Sequence, residues 1–241
     1  MSDSESAPTL KPVNRPPRAT SRDRVLGTLR HALDAAAFEE LRRDVVASRL
    51  ASHPRGPIPA RGQIDRAGRL ALFRDQAIAA GATVEPLASL NAVPAAVCAV
   101  LRAHNLPLQV RMGADSRLAA LPWHAEPALE IGLGPSDGGD LAAVSFAFGA
   151  VAESGTLVLL SGPNNPTTLN FLPDTHIVVL AADDVVGDYE TVWDALRAHF
   201  GPAVMPRAIN WITGPSRSAD IEQRLVFGAH GPRRLHILVA G

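Results

Sequence analysis

Glu153 lies in Ala152-Glu153-Ser154-Gly155, between two strand-like apolar runs, Val144–Val151 and Thr156–Leu160. A carboxylate so placed is either at the tip of a hairpin turn, where Glu, Ser and Gly are all easily accommodated, or partly buried. Burial would raise its pKa toward the range of acid–base work; left ionised, it could attack a thioester as nucleophile. The second stretch is Ile209–Pro232, INWITGPSRSADIEQRLVFGAHGP. Ile209–Thr213 reads as a strand, and Gly214-Pro215 breaks it. Ser216 and Ser218 then offer N-cap oxygens to a helix over Ala219–Phe227, with Asp220 and Glu222 in its first turn. Strand, tight turn and capped helix present free backbone N–H groups and a partial positive charge beside Arg217, a setting for a carboxylate, phosphate or sulfate. The same pattern also describes an ordinary connection whose serine caps a helix.

Other residues carry weaker patterns. Gly132–Gly139 (GLGPSDGG) fails as a dinucleotide loop, because GxGxxG needs a third glycine where Asp137 stands. It matches GxSxG at Ser136, but a nucleophile elbow must open a helix. The alternation of Val144, Phe146 and Phe148 predicts a strand after Gly139 instead, so Ser136 reads as a surface turn. His176, inside an apolar strand, reads as a hydrogen-bonded core residue. His230, His236, Asp220 and Glu222 would be the side chains for a metal, but no tight His-to-His spacing supports one, and no metal is expected. His230 is better placed as a hydrogen-bond donor facing the Gly214–Arg217 turn.

Positioning these residues requires an α/β scaffold. Asp65–Ala80 predicts a helix with Leu70, Phe73, Ala77 and Ile78 on one face and Gly81 as its stop. Thr83–Leu87, Pro107–Met112 and Ala128–Leu133 predict strands, Val93–His104 and Asp115–Leu121 helices. Thr167–Leu172 reads as a helical turn, Thr175–Leu180 as a strand, Tyr189–His199 as an amphipathic helix and Leu235–Val239 as a final strand. Such alternation indicates a largely parallel sheet. Ligands in such sheets sit beyond the carboxyl ends of the strands, and the Ile209–Thr213 strand would place Gly214–Ser218 at such an end. Ahead of this domain, Met1–Thr20 is polar enough for a disordered tail. Ser21–Ser52 has helical spacing at Val25, Leu26, Leu29 and Leu33 behind a Ser21 cap, then at Phe38, Leu41, Val45, Val46 and Leu50, with a break near Ala35–Ala37. His53–Gly62 is a breaker-rich linker. The resulting layout is a tail over 1–20, a helical arm and linker over 21–62, and an α/β domain over 63–241. The arm packs on the domain or on another subunit, or its helices are the first of a single core.

Composition narrows the function classes. With 46% hydrophobic residues the chain can bury a substantial core, and a formal net charge of -1 gives no electrostatic footing for nucleic acid or an anionic membrane surface. No apolar run approaches the roughly 20 residues that span a bilayer, and the N-terminus lacks the basic-then-apolar order of a signal peptide. A cytoplasmic protein is expected. Cys98 is the one cysteine, so this chain alone forms no disulfide and holds no Cys-ligated iron–sulfur cluster.

AESGTLVL (Ala152–Leu159), LPDTHIVVL (Leu172–Leu180) and ITGPSRSADIEQRLVFGAHGPRRLHILV (Ile212–Val239) together resemble the LUD domain of the lactate utilisation protein C family. The resemblance is strong from about Val144 to Gly241, weaker over Asp65–Gly139 and absent over Met1–Thr20. Many members carry a basic residue near Thr168–Asn170, where this chain has Thr-Leu-Asn, so no basic contact is expected there. The resemblance implies an α/β fold like that of sugar-phosphate isomerases and CoA transferases, a mostly parallel sheet with helices on both faces. It implies a role in oxidising L-lactate to pyruvate with two partner proteins, at least one of them carrying iron–sulfur clusters. This chain would then have no cofactor of its own and would bind a small anion. Seen through the resemblance, Ser154, Gly155 and Thr156 join Gly214, Ser216, Arg217, Ser218, His230 and Gly231 as ligand-binding residues, with Glu153 as the catalytic candidate. The alternative is a stand-alone enzyme on a small acid, sugar phosphate or CoA ester that uses Glu153 as base or nucleophile.

Overall fold

The computed structural model of the protein describes residues 20–33, 39–201, 204–221 and 224–241, with side chains described at all of these except 219–221 and 224–226. The expected tail before Thr20, the break at Ala35–Ala37 with Phe38, and Glu222 lie outside the described residues.

The chain divides into two units, Met1–Arg55 and Gly56–Gly241. In the first, α1 (Ser21–Ala32) is capped by Thr20 rather than by Ser21: Thr20 Oγ1 accepts from Asp23 N at 3.2 Å, and the Asp23 carboxylate accepts from Thr20 N at 3.0 Å. This reciprocal box satisfies two of the amides that a helix start leaves free. α2 is Glu39–Ser52. Among the described residues of both helices none is buried, and Val25, Leu29, Leu41, Val45, Val46 and Leu50 form exposed apolar stripes.

The second unit is built around a six-stranded, all-parallel sheet. In chain order come α3 (Arg66–Ala79), β1 (Thr83–Leu87), α4 (Val93–Ala103), β2 (Gln109–Met112), α5 (Ser116–Ala119) and β3 (Glu130–Leu133). Then follow β4 (Ala142–Phe146), β5 (Gly149–Val151), β6 (Thr156–Leu160), β7 (Thr175–Ala181), β8 (Val185–Val186) and α6 (Tyr189–Phe200). The last strands are β9 (Ile209–Ile212), β10 (Arg217–Ile221), β11 (Arg224–Phe227) and β12 (Arg234–Ala240). The parallel sheet has the order β1-β12-β7-β4-β2-β3. Its middle strands are covered on both faces, which is why THIVVLA reads as an almost unbroken apolar run. Alternate residues face opposite ways. Ile177, Val179, Val144 and Leu238 pack with Val93, Val97 and Leu101 of α4, while Val178, Leu180, Leu235 and Ile237 pack with Phe73 and Ala77 of α3. Each of these side chains except Ala77 contributes roughly 1.5–3 kcal/mol on burial. The helix starts are those that chemistry favours: Asp65 accepts from Gly68 N at 2.8 Å, Asp188 from Thr191 N at 2.8 Å, and Pro94 sits in the first turn of α4, where no N–H is needed.

A second sheet, ordered β8-β5-β6-β9, corrects two expectations. Val144–Val151 is not one strand. The Ala147 amide bonds to Val179 of the parallel sheet and the next amide, Phe148, bonds to Val158 of the second. The chain thus changes sheets between those two peptides. β9, in turn, pairs antiparallel with β6 and does not enter the parallel sheet, so its end is not one of that sheet's carboxyl ends. One face of the second sheet supplies Ala150, Leu157 and Leu159 to the α3 side of the core; the other packs Val151 and Val158 against Val192 and Leu196 of α6. Ser136 is also corrected. It is buried, with its amide donating to Thr168 Oγ1 at 3.0 Å and its hydroxyl accepting from Gly138 N at 3.3 Å, so the turn is pinned inward.

His176 is a hydrogen-bonded core residue, as its surroundings in the sequence predict. It has no exposed surface, its Nε2 lies 2.9 Å from Ser145 Oγ, and burial pushes its pKa down from 6.5 to about 3. Between about pH 6.5 and 3 the unfolded chain therefore carries a proton here that the folded chain does not. The stability due to neutral His176 is complete above the unfolded value and declines as the pH falls, by up to about 1.4 kcal/mol per unit. Urea denaturation of the wild type and a His176→Gln variant from pH 7 to 4 should show the variant losing less stability on acidification. Parallel slopes would contradict the assignment.

Candidate functional site

The turn joining β5 to β6 and the turn following β9 lie side by side. β6 and β9 are neighbours in register, Leu157 opposite Ile212, and Thr156 Oγ1 lies 2.6 Å from Thr213 Oγ1. The hydroxyls continue into a cluster, with Ser154 Oγ and Thr156 Oγ1 at 2.8 and 2.9 Å from Tyr189 OH and 2.8 Å from each other. Tyr189 comes from the first turn of α6, whose Asp188 cap accepts from Gln63 Nε2 at 2.9 Å. Of the two options for Glu153, the structure takes burial: the residue is 3% exposed. Its amide donates to Gly187 O at 3.3 Å, and its Oε2 has no hydrogen-bond partner among the described residues. A carboxylate oxygen enclosed without such a donor is expensive.

Both turns rest on the last turn of α3. Gly155 has φ +67°, and a side chain there would stand 2.6 Å from the Gln76 carbonyl carbon. Gly214, at φ +73°, lies against the Ala80 carbonyl in the same way. The side chain of Arg217 extends over Gly81 and donates through Nη2 to Ala80 O.

The expected helix over Ala219–Phe227 does not form. β10 and β11 make an antiparallel hairpin there, with Arg217 opposite Phe227 and Ser218 opposite Val226. Ser216 caps no helix. Its amide donates to Pro232 O at 2.8 Å, its carbonyl accepts from Gly228 N at 3.0 Å, and its Oγ accepts from His230 N at 3.2 Å. These bonds draw the Gly228–Pro232 segment onto the turn, with Gly231 beside Ser216, and they are a better use of the serine than capping a lone short helix. The electropositive helix start invoked for Gly214, Ser216, Arg217 and Ser218 is therefore absent. What the turn meets is the carbonyl end of α3, which carries partial negative charge, and Arg217 offsets it. Ser218 is buried within the hairpin. His230 does face the turn, through its backbone amide. His236 is held between Thr83 and Glu85, its Nε2 3.2 Å from Glu85 Oε2. Among the described residues no three His, Cys, Asp or Glu side chains gather as for a metal, and no helix is long and apolar enough to cross a membrane.

Tyr189, Thr213, Asp188 and Gln63 join the site without having been singled out in the sequence. Tyr189 is the chain's one tyrosine, which is the only hint the sequence offered.

Two sheets sharing a core, paired glycine turns on one helix end and an enclosed glutamate define an α/β protein whose two site turns both lie in its last hundred residues. Residues 141–240 match the family model described as the LUD domain. The lactate utilization protein C of Geobacillus thermodenitrificans is 41% identical over 106 residues, 43% of this chain and 44% of that protein. That of Bacillus subtilis is 39% identical over 99 residues, 40% and 41% of the two chains. The chain thus spans less than half the length of these relatives. A crystal structure of a DUF162 family protein from Deinococcus radiodurans shares the fold with a TM-score of 0.57 at 23% identity, covering 74% of this chain and 99% of that one.

Proposed function

We propose that the protein is a subunit of a lactate-utilisation system that oxidises L-lactate to pyruvate with iron–sulfur partner proteins in the cytoplasm, and that it binds a small anion rather than carrying redox centres. The observations behind this are the match of residues 141–240, which hold Glu153 and both glycine turns, to the LUD domain model and the likeness of 43% and 40% of the chain to proteins named for lactate utilisation. Cys98, the one thiol, is enclosed in the core. Cysteine-ligated clusters need several thiolates, so they belong to partners. Tagged full-length protein recovered from lactate-grown cells of its host should bring down proteins with iron–sulfur absorbance and should not turn lactate over by itself. Lactate-dependent dye reduction by the isolated chain would overturn this.

Glu153 favours a second reading. A buried carboxylate in the turn that carries Ser154 and leads into Thr156, with one oxygen unmatched among the described residues, suits a general base or a nucleophile toward a small acid, sugar phosphate or CoA ester. Under that reading the chain is an enzyme in its own right.

A further inference from the structure

The carboxyl ends of β2 and β4 open on a cleft of about 440 Å³ that holds Arg117, Asn165 and Asp184 against Phe146, Phe148 and Leu160. Parallel sheets bind ligands at such ends, and the volume is that of small-molecule sites. One donor here is fixed from behind. Ser145 has a single hydroxyl proton and gives it to Asn165 Oδ1 at 2.9 Å. The 2.9 Å contact between Ser145 Oγ and His176 is then a bond donated by His176 Nε2–H. This relay engages the Asn165 oxygen and leaves Nδ2, enclosed at the cleft wall, as the unclaimed donor. Asn165 is 5% exposed, and Nδ2 has no partner among the described residues. Nearby, Arg117 is clamped by Asp115 through Nε–Oδ1 at 3.1 Å and Nη2–Oδ2 at 2.7 Å, lies 3.9 Å from the Phe146 ring centroid, and gives one Nη1 hydrogen to Ala147 O at 3.4 Å. Both terminal nitrogens retain a further N–H. Asp115 balances Arg117, and Asp184 adds a carboxyl whose pKa burial raises and Arg117 lowers. Such a balance suits a monoanion better than a phosphate dianion.

We propose that this cleft binds a small hydroxy carboxylate, with its carboxylate on Asn165 Nδ2 and Arg117, its hydroxyl on Asp184 and its carbon chain along Phe148 and Leu160. The assignment rests on the reading of the chain as an anion-binding subunit and gives that anion a place away from the glycine turns. Calorimetry on the full chain with L-lactate, 2-hydroxyhexanoate and inorganic phosphate tests it. The two acids should bind, phosphate more weakly than either. Asn165→Asp keeps the acceptor for Ser145 and replaces the free donor, and should weaken the acids at least tenfold, about 1.4 kcal/mol. In the wild type, added acid should also shift the Asn165 side-chain amide resonances in an NMR titration, a readout that stands even where the variant misfolds. No binding of either acid, tighter phosphate, unchanged affinity in the variant, or an unmoved Asn165 resonance would overturn the proposal. Co-purification of iron–sulfur proteins does not depend on any of these outcomes, so the two readings fail separately.

Discussion

Under the reading that makes Glu153 a base or nucleophile, Glu153→Gln is expected to leave the fold and the affinity for a small acid in place and to lower turnover by at least a hundredfold. The carboxylate is enclosed, its Oε2 is unmatched, and among the described residues its side chain makes no ion pair or hydrogen bond that the change would break. Glutamine has nearly the same shape, so packing beneath the turn is preserved. What disappears is the capacity to accept a proton or form an acyl intermediate, and a general base contributes typically 10²–10⁴ in rate. The assay is ligand affinity by calorimetry beside turnover by the reconstituted lactate-oxidising assembly. Full turnover in the variant would remove Glu153 from the chemistry and leave the protein a binding subunit.

Gly155→Ala should destabilise the second unit by about 3 kcal/mol or more. A non-glycine residue in the left-handed region costs roughly 1–2 kcal/mol. The larger part is steric, since the new methyl would stand 2.6 Å from the Gln76 carbonyl carbon and 2.8 Å from Ala77 Cα. Both are backbone atoms of α3 and cannot swing aside. Relief would require moving the helix that sets Phe73 and Ala77 into the core. In thermal unfolding, at about 2–4 °C per kcal/mol for a chain of this size, the midpoint should drop by roughly 6–12 °C. Gly162→Ala is the control. It has open space around it, and its change should fall within about 0.5 kcal/mol. Equal midpoints for Gly155→Ala and the wild type would mean that the turn does not sit on α3.

Much of the scaffold can be read from residue order. Helices α3 and α6 announce themselves through caps and apolar spacing, α4 through its first-turn proline and apolar spacing, and β7 and β12 through apolar runs too short for helices. Sheet membership is harder, because Ile209–Ile212 is equally a strand in either sheet and only its partner, β6, decides. The segment after Gly214 misleads for a physical reason. Ile221 and Leu225 are four apart, as on a helix face, and two serines precede them. Yet Leu225, Val226 and Phe227 also suit a strand, and Ser216 gains more by fastening residues 228–232 than by capping one isolated helix. At the site, Glu153 and the glycine turns stand out as residue types, and their adjacency does not, since it depends on a strand pairing across more than fifty residues. Asn165 and Arg117 carried no motif at all. Their interest comes from a hydrogen-bond relay that exists only after folding.

β12 lies between β1 and β7, and the Thr83–His236 contact joins residues 153 positions apart. On the ribosome, β1 and β7 would both emerge long before the strand that separates them, each presenting a bare edge to solvent and to other nascent chains. The central sheet can close only when Arg234–Ala240 arrives. A chain stalled or clipped ahead of that segment is therefore missing the keystone of its sheet and becomes a substrate for chaperones and proteases.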